Sequence, residues 1–508
     1  MHKWILLWAA ISMGMVACQS PTSSSAATTT TTTTPTSQAH LTAQWARSTV
    51  TGSSPSYLLS DAADSAGNVY AVGYLNLPDT WDFGNGVTVT TTATNTAILV
   101  KYNSAGTAQW AQSVTGGASS SAAYAGITLD AAGNLDVCGN LNSNTVYNFG
   151  HGVTVTGPTN GHDSSLVVQY DASGTVQWAK TLTTAAGDNY FQAITTDSAS
   201  NIYVAGYTSA SGTYNYGNGN VSVGSSTGNA VIVKYDSHGA ALWAKIQNSA
   251  SAGYNLFQAI KADSAGNVYA AGEINTTAIG DFGNSITASG SNSANNVLLV
   301  KYNPSGTAIW AQTSTAGKGE FIGLALDGSG NLYAVGSAYP GTMGFGGTVT
   351  TTVGSTTWSS LLVKYNTSGV AQWAASMTSA SNYSNFYGAA LDASGNVVAV
   401  GEIDGNAAFN FGSGVTATGT DADANVVIAQ YSPGGTPLRA RTFTSGSGSL
   451  TINTSAAYMA VTTGPSGELF AVGYLDDATH GLGNGVTVSG SDTSTTISPY
   501  NALIVKYN

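Results

Sequence analysis

Seven residues each follow the glycine that ends an apolar run in one copy of a repeated segment, and they include the side chains best suited to chemistry. They comprise three tyrosines, two glutamates, an asparagine and a serine: Tyr74, Asn140, Tyr207, Glu273, Ser337, Glu402 and Tyr474. Tyrosine rings and carboxylates can hold a sugar or a peptide by stacking and hydrogen bonding. The competing interpretation is that the seven only satisfy the backbone of adjacent loops. The sequence therefore marks them as candidate ligand contacts.

The two glutamates raise the question of glycoside hydrolysis. Such an enzyme needs an acid and a base at a set separation and with unequal pKa values, and nothing in the sequence fixes the separation of Glu273 and Glu402. No Gly-x-Ser-x-Gly elbow lies between a strand and a helix, which argues against a hydrolase of that type. No residue is assigned as catalytic, and an enzyme stays an open alternative.

Metal and nucleotide sites are not indicated. His151, His162 and Asp163 share one loop but lack the spacing of a metal-ligand set. Glycine-containing segments such as the one after Phe83 match neither a P-loop nor a dinucleotide fingerprint. We therefore expect no metal and no cofactor.

The charge balance excludes one class of partner. The 508 residues contain 13 Lys and Arg against 25 Asp and Glu, for a net charge of −12. Neutralising phosphates requires many basic side chains, so no nucleic-acid partner is expected. Twenty-six Tyr, 12 Phe and 10 Trp supply enough apolar surface for a packed core, which argues against disorder.

Residues 1–17 indicate an export signal. A short n-region with His2 and Lys3 precedes an apolar stretch that is too short to span a bilayer. Residues 15–18, Met-Val-Ala-Cys, resemble the lipobox of bacterial lipoproteins. That resemblance implies that Cys18 is lipidated and becomes the first mature residue, and Gln19 after it favours the outer membrane or cell surface. The alternative is an ordinary secretory signal with a chance cysteine.

A tether is predicted to follow at residues 18–41, and the remainder, 42–508, forms the folded domain. The tether is rich in Ser, Thr and Pro, so it cannot bury enough apolar surface to offset its ordering entropy. The second cysteine, Cys138, lies in an apolar run and is expected to be a buried, unreactive thiol.

Three markers recur in the same order along the chain, as in repeat proteins. The first is a tryptophan before alanine, replaced once by arginine: Trp45, Trp110, Trp178, Trp243, Trp310, Trp373 and Arg439. The second is an Asp-x-x-Gly-Asn turn with two variants: Asp64, Asp130, Asp197 (variant), Asp263, Asp327, Asp392 and residues 464–468 (variant). The third is a tyrosine after Lys or Gln: Tyr102, Tyr170, Tyr235, Tyr302, Tyr365, Tyr431 and Tyr507.

Each copy is predicted to form four short strands, a to d, at residues 126–130, 134–139, 166–170 and 176–181 in the second copy. Units of this kind are typical of propeller blades. The repeats begin on a d-type strand around Trp45 and end on a c-type strand at residues 503–507, so we expect these two strands to pair and remove a sheet edge. The prediction is an all-β, seven-bladed β-propeller of four-stranded antiparallel blades, closed by that pairing.

The connections divide the predicted fold into two faces. The a–b and c–d turns are tight on one face, and the d–a connections and long b–c excursions lie on the other, where binding usually occurs. The excursions contain a recurring Phe-Gly segment that is expected to form an accessory hairpin: Phe83, Phe149, Phe282 and Phe411.

The Asp-Ala-Ala-Gly-Asn-Leu, Val-Lys-Tyr and Gln-Trp-Ala-Lys elements resemble the bacterial β-propeller repeat family SBBP over roughly residues 42–508. The resemblance implies the propeller fold and an exported or surface location, and it carries over no catalytic residues. We predict a monomeric, lipid-anchored binding or scaffold module that contacts protein or carbohydrate through its loop-rich face. The alternatives are an extracellular propeller enzyme of the polysaccharide lyase or glycosidase type and a purely structural envelope protein.

Overall fold

The computed structural model describes residues 41–508 except 117–120, 143–144, 158–160, 226–227, 250–252, 276, 355, 378–381, 447–454 and 492–499. Every regular element in these ranges is a β-strand, so none of them forms a helix that could cross a bilayer. The packed unit is Leu41–Asn508. Leu41, the last residue of the predicted tether, is buried in the core of this unit. The predicted signal, Cys18 and the rest of the tether lie outside the described residues, as does most of the seventh d–a connection.

Seven four-stranded antiparallel sheets, numbered here 1 to 7 in chain order, carry the fold. Their strands a to d are Ser56–Ala63, Val69–Asn76, Asn95–Tyr102 and Ala108–Ser113 (sheet 1); Ala122–Leu129, Leu135–Leu141, Ser164–Tyr170 and Val176–Thr181 (sheet 2); Asn189–Thr196, Ile202–Thr208, Asn229–Tyr235 and Ala241–Ile246 (sheet 3); Asn255–Ala262, Val268–Ile274, Asn296–Tyr302 and Ala308–Thr313 (sheet 4); Gly319–Leu326, Leu332–Ala338, Ser359–Tyr365 and Ala371–Ser376 (sheet 5); Ser384–Leu391, Val397–Asp404, Ala424–Tyr431 and Pro437–Arg441 (sheet 6); Ala457–Thr463, Leu469–Leu475, Asn501–Tyr507 and Ala43–Ser48 (sheet 7).

Sheet 7 takes its strand d from the other end of the chain. Ala43–Ser48 pairs antiparallel with Asn501–Tyr507, with Trp45 opposite Lys506. Strand a of each sheet lies against strand a of the next, and strand a of sheet 7 lies against strand a of sheet 1. Without this pairing, strand c of sheet 7 would present an open edge.

The hydrophobic core lies between neighbouring sheets. One cluster, for example, joins Tyr70 and Leu99 of sheet 1 to Val137 and Val168 of sheet 2. Strands b and c are covered on both faces by adjacent sheets, so they are near-continuous apolar runs rather than alternating ones. In sheet 2, strand d has the predicted bounds, while strand a begins four residues earlier than predicted because it extends to the opposite end of the sheet.

The a–b turns fold as the Asp-x-x-Gly-Asn pattern predicts. Asp64 Oδ1 accepts hydrogen bonds from the amides of Ala66 and Asn68, both at 2.9 Å. Gly67 follows with a φ of +76°, a conformation that favours glycine. The end of the fold that carries the a–b and c–d turns is called the turn face below, and the opposite end is called the loop face.

On the turn face, tryptophan and lysine side chains bind one sheet to the next through hydrogen bonds. Trp243 on strand d of sheet 3 and Lys234 on strand c both donate hydrogen bonds to Pro304 O in the c–d turn of sheet 4, at 3.1 and 3.3 Å. Gly306 of that turn lies against the Trp243 ring, where a Cβ atom would come within 2.8 Å of it. Lys234 also lies 4.8 Å from the centroid of the Tyr203 ring, in a cation–π contact.

The b–c excursions contain accessory hairpins, as predicted. Their strand pairs are Thr80–Asp82 with Thr88–Thr90, Val146–Asn148 with Thr154–Thr156, Gly212–Asn215 with Val221–Gly224, Gly280–Asp281 with Thr287–Ala288, Gly341–Gly344 with Thr350–Val353, Ala408–Gly412 with Val415–Thr418, and Thr479–Gly483 with Val486–Ser489. Short strands from the d–a connections, Thr184–Ala185 and Asn248–Ser249, extend the third and fourth hairpins.

Candidate functional site

The seven candidate residues lie at the loop-face end of strand b, each opposite the second position of strand a or, in sheet 7, its first residue. Residues directly opposite each other in an antiparallel pair place their side chains on one face of the sheet. The pairs are Tyr74 with Tyr57, Asn140 with Ala123, Tyr207 with Tyr190, Glu273 with Leu256, Ser337 with Glu320, Glu402 with Asn385, and Tyr474 with Ala457. These fourteen residues are called the mouth below.

A close backbone approach explains the glycine that precedes each candidate residue. Strand a carries a bulge here, shown in sheet 3 by the register shift between Phe191 and Ala193. A Cβ atom on Gly206 would lie 1.8 Å from Tyr190 O, and the corresponding glycines of the other six sheets have a strand-a carbonyl oxygen at 1.9 to 2.1 Å. Only glycine fits at this position of strand b, so the glycine determines the position of the mouth residue that follows it.

Five of the seven candidates are buried: Tyr74, Tyr207, Ser337, Glu402 and Tyr474. Asn140 and Glu273 are half-buried. Asn140 and Glu273 are therefore the more exposed members of the seven. The sequence alone treats all seven as equivalent, because burial at this position depends on residues from adjacent sheets.

Tyrosines dominate the mouth where sheet 7 meets sheet 1. Tyr57 stacks on Tyr74 with ring centroids 4.7 Å apart and meets Tyr474 edge-on at 5.5 Å. Tyr500, which directly precedes strand c of sheet 7, lies 4.8 Å from Tyr474. All four rings are buried, and they fill this part of the mouth with one aromatic cluster.

Carboxyl groups dominate the loop-face end of sheets 4, 5 and 6. Glu273, Glu320, Glu402 and Asp404, called the acidic arc below, come from sheets 4, 5 and 6. Asn295 Nδ2 donates to Glu273 Oε2 at 3.1 Å, and Tyr387 Oη donates to Glu402 Oε1 at 2.7 Å.

Glu320 lies in the middle of the acidic arc and was missed from the sequence. It accepts hydrogen bonds from Ser337 Oγ at 3.1 Å and Gln258 Nε2 at 3.3 Å. Pairing each strand-b candidate with the residue opposite it on strand a would have found Glu320, because opposite residues of paired strands share a face of the sheet. The same rule would also have found Tyr57 and Tyr190.

Burial and mutual repulsion raise the pKa values of the acidic arc. Burial and the neighbouring Glu320 raise the pKa of Glu273 to about 8, and burial raises the pKa of Glu320 as well. Burial and Asp404 raise the pKa of Glu402 to about 8. The pKa of Asp404 rises to about 7 through burial and the charge of Asp423.

These values bear on the glycosidase alternative. A glycosidase acid and base need environments that separate their pKa values, whereas Glu273 and Glu402 are both raised to about 8. They lie on sheets 4 and 6, with sheet 5 and Glu320 between them. The surroundings of the two carboxyl groups therefore shift both pKa values in the same direction.

Sheet 3 carries a third group at the mouth. Tyr190 stacks on Tyr207 with centroids 5.0 Å apart, and its hydroxyl donates to Asp163. Asp188 Oδ1 accepts from the Asp163 amide and lies 3.0 Å from His162 Nδ1. His162 and Asp163, which share one loop in the sequence, are thus parts of a hydrogen-bonded network.

In the described ranges, no three His, Cys, Asp or Glu side chains come together as a metal site. Cys138 is a free, fully buried cysteine whose pKa is raised by burial. Its surroundings match the expectation of an unreactive thiol.

Comparisons with known proteins agree with the repeat. The family model described as beta-propeller repeat (SBBP) matches residues 177–212, which confirms the resemblance in that segment. An uncharacterized WD repeat-containing protein of Acanthamoeba polyphaga mimivirus is 26% identical over 294 residues. That match covers 47% of this chain and 21% of the viral protein, so the chain spans about a fifth of its length.

Solved structures with low overall similarity include propellers. The WD40 β-propeller domain of Doa1 matches 92% of this chain and 97% of its own length, with 9% identity and a TM-score of 0.44. The periplasmic gluconolactonase PpgL of Pseudomonas aeruginosa matches 80% of this chain and 92% of its own, with 11% identity and a TM-score of 0.37. These values are too low to transfer any function. The described residues thus form an all-β protein of four-stranded antiparallel sheets, and residues 177–212 match the beta-propeller repeat.

Proposed function

We propose that the seven sheets are the blades of one closed propeller that acts as a binding module through its loop face. The observation that carries this proposal is the contrast between the two ends of the same strands. The turn face repeats one set of contacts between sheets, whereas the mouth differs in residue type from sheet to sheet. A rigid scaffold with varied residues at one end is the usual arrangement of a binding site.

The mouth offers two kinds of contact that suit protein or carbohydrate. Tyr207 and Tyr474 supply buried aromatic rings, and Asn140 and Glu273 supply half-buried hydrogen-bonding groups. Few convergent polar groups among aromatic rings are typical of ligand sites.

A binding screen tests this function directly. The full chain is applied to arrays of glycans and peptides, beside an Asn140→Ala/Glu273→Ala variant at the mouth and a Lys301→Met control on the turn face. We expect the wild type and the control to retain the same probes, and the mouth variant to lose them. No retained probe, or retention unchanged by the mouth substitutions, would refute a binding function at this end.

The N-terminal residues support a location for this module. We propose that export removes residues 1–17, that Cys18 is acylated, and that the propeller is held at the outer membrane or cell surface as a monomer. Cell labelling with an alkyne fatty acid should mark the wild type and leave Cys18→Ser unlabelled. Equal labelling of both proteins would contradict the lipid anchor.

A further inference from the structure

We propose that the mouth binds a cationic segment, the lysine or arginine side chains of a basic peptide, at the carboxyl groups of Glu320 and Glu402. The inference deepens the binding function proposed above and rests on it. Four observations carry it: the charge of the loop face, the lack of cationic partners for the acidic arc among the described residues, an acceptor without a donor beside Glu402, and an aromatic pair tied to the strands that carry Glu320 and Asn385.

The connections of the loop face are strongly acidic. The seven d–a connections and seven b–c excursions together contain ten aspartates and a single basic Lys or Arg side chain, Lys318. The acidic arc adds Glu273, Glu320, Glu402 and Asp404 at the strand ends. A surface of one sign raises the local concentration of ligands of the opposite sign.

The acidic arc has no cation of its own. Within the described part of the chain, no Lys, Arg or His nitrogen lies within 4.0 Å of its carboxyl oxygens, and the ion pairs that do form lie elsewhere. Its members meet neutral hydrogen-bond donors or each other, as Glu273 and Glu320 do. Burial raises the pKa values of Glu320 and Glu402 and so favours their neutral forms. An external cation would favour the ionised forms and supply the partner that buried charges normally have.

Asn385 provides an independent sign of a missing donor. It is 2% exposed and stands opposite Glu402, so its side chain faces the same side of sheet 6. Its Nδ2 donates to Tyr383 Oη at 3.3 Å, while its Oδ1 is buried without a hydrogen-bond partner among the described residues. A buried acceptor without a donor requires an explanation, and a multiply donating guanidinium or ammonium group beside Glu402 would provide one.

Aromatic side chains flank the same part of the mouth. Tyr339 is 46% exposed and meets Trp358 edge-on, with ring centroids 5.7 Å apart. The amide of Tyr339 donates to Lys318 O just before strand a of sheet 5, and the amide of Ser384 at the start of strand a of sheet 6 donates to Trp358 O. The pair is therefore tied to the two strands that carry Glu320 and Asn385. Exposed aromatic faces beside carboxylates are suited to guanidinium and ammonium groups.

Charge and geometry favour an organic cation over a metal ion. Calcium takes six to eight oxygen ligands at close range, and the described residues contain no cluster of three potential acidic or histidine ligands. A neutral glycan would leave the carboxyl groups without a partner of opposite charge. A basic peptide has donors long enough to reach separate carboxyl groups on sheets 5 and 6.

The test measures binding of one defined probe, a fluorescein-labelled octapeptide of alternating lysine and arginine, to the full chain by fluorescence anisotropy. The site variant is Glu320→Gln/Glu402→Gln, which keeps side-chain volume. The matched control is Asp171→Asn/Asp236→Asn, which replaces the same number of carboxyl groups by amides in two c–d turns. Asparagine already occupies that turn position in sheets 1, 4 and 5, as Asn103, Asn303 and Asn366, so the control should fold.

We expect the site variant to weaken peptide binding at least tenfold and the control to change it less than twofold, with wild-type binding weakening as salt is raised. Tyr339→Ala, outside the core, should weaken binding about threefold, by the loss of a contact in the range of an exposed cation–π interaction. Equal weakening by the site and control variants would mean that only net charge matters and would overturn the proposal.

Measurements with other probes distinguish failure of this inference from failure of the binding function on which it rests. If an acidic peptide or a neutral glycan binds and Asn140→Ala/Glu273→Ala removes it while the basic peptide does not bind, the cation inference fails and the binding function stands. If calcium chloride alone binds and the Gln variant abolishes it, the site is a metal site and the peptide inference fails. If no probe binds, both fail.

Discussion

The turn face and the mouth are built at opposite ends of the same strands, yet they follow different rules. On the turn face, five of the tryptophan indoles donate to a carbonyl oxygen of the next sheet, among them Trp45 to Ser104 O at 3.1 Å and Trp373 to Pro433 O at 3.1 Å. At the mouth, the corresponding positions hold Tyr, Asn, Glu or Ser. Repetition therefore serves assembly of the sheets, and variation in residue type is concentrated at the mouth.

The exceptions on the turn face support this view. Lysine on strand c accompanies an aromatic ring on strand b in five sheets, such as Lys301 with Tyr269 at 4.8 Å. Where strand b carries Asp136 instead, strand c carries Gln169, and the two are joined by a hydrogen bond of 2.9 Å. The lysines are therefore parts of a contact rather than free surface charges.

Sheet 6 is the second exception, with Arg439 in place of tryptophan. Its neighbour, sheet 7, has strands c and d that are not consecutive in the chain, so no c–d turn connects them. In place of that turn, the Asn508 amide donates to Thr42 O at 3.1 Å. The tryptophan is therefore replaced in the one sheet whose neighbour, sheet 7, offers no c–d turn for an indole to contact.

The largest effect should come from the glycine that sets the mouth. In Gly206→Ala, the new Cβ would overlap Tyr190 O, so we expect a loss of about 3–5 kcal/mol in the free energy of unfolding, or failure to fold. Denaturant unfolding measures it. Gly328→Ala is the control, because its Cβ would meet no atom within 4 Å and Ala131 and Ala393 already occupy that turn position. Equal losses in both proteins would contradict the close approach.

The second-largest effect should be a loss of stability on the turn face without a loss of binding at the mouth. Trp243→Ala removes an indole that stacks on Gly306 and donates to Pro304 O, so we expect a loss of about 2–4 kcal/mol in the free energy of unfolding. Probe binding at the mouth, measured below the melting temperature, should stay within twofold of wild type. A large loss of binding in the folded variant would break the division between the two ends.

The third effect is a pH dependence of opposite sign at the two ends. Burial alone would raise the pKa of Asp64, but hydrogen bonds from Asn68 and Tyr70 and from turn amides outweigh it and lower that pKa. Its contribution to stability is present above its unfolded pKa and is lost as the pH falls through the lower folded value. At the mouth, the folded state holds protons on Glu273 and Glu402 up to about pH 8, so stability falls as the pH rises from about 5 to about 8.

Thermal melting from pH 3 to pH 9 checks these signs. Glu273→Gln/Glu402→Gln should flatten the alkaline limb and leave the acid limb in place, by an amount on the order of 1 kcal/mol or more at pH 9. An alkaline limb that survives the double substitution would show that the mouth carboxyl groups do not carry it.

The smallest effect should come from restoring the missing tryptophan. Arg439→Trp places an indole where no c–d turn is present to receive it, so we expect a change within about 0.5 kcal/mol, typical of a surface substitution. Chemical denaturation beside Trp243→Ala measures the difference. A stabilisation comparable to the loss in Trp243→Ala would show that the indole acts without the turn.

Much of the fold and part of the site could be predicted from the sequence. The turns at Asp64 and Gly67, the accessory hairpins and the position of the mouth residues follow from local patterns, because turn chemistry and strand alternation depend on near neighbours in sequence. Glu320 and Asn385 were missed because they enter the mouth from strand a, across a bulge that shifts the register. The aromatic contact of Tyr57 with Tyr474 depends on which sheet lies next to which.

The sequence by itself determined the repeat, the strand order within each repeat and the residue types at each end, since all of these are carried by periodic local motifs. Only the tertiary structure decided which of those residues are buried and which meet. Glu273 and Glu320 are 47 positions apart in the chain and become electrostatic neighbours because sheets 4 and 5 pack together. The raised pKa values and the unpaired Oδ1 of Asn385 arise from that packing, because desolvation depends on every element around a group.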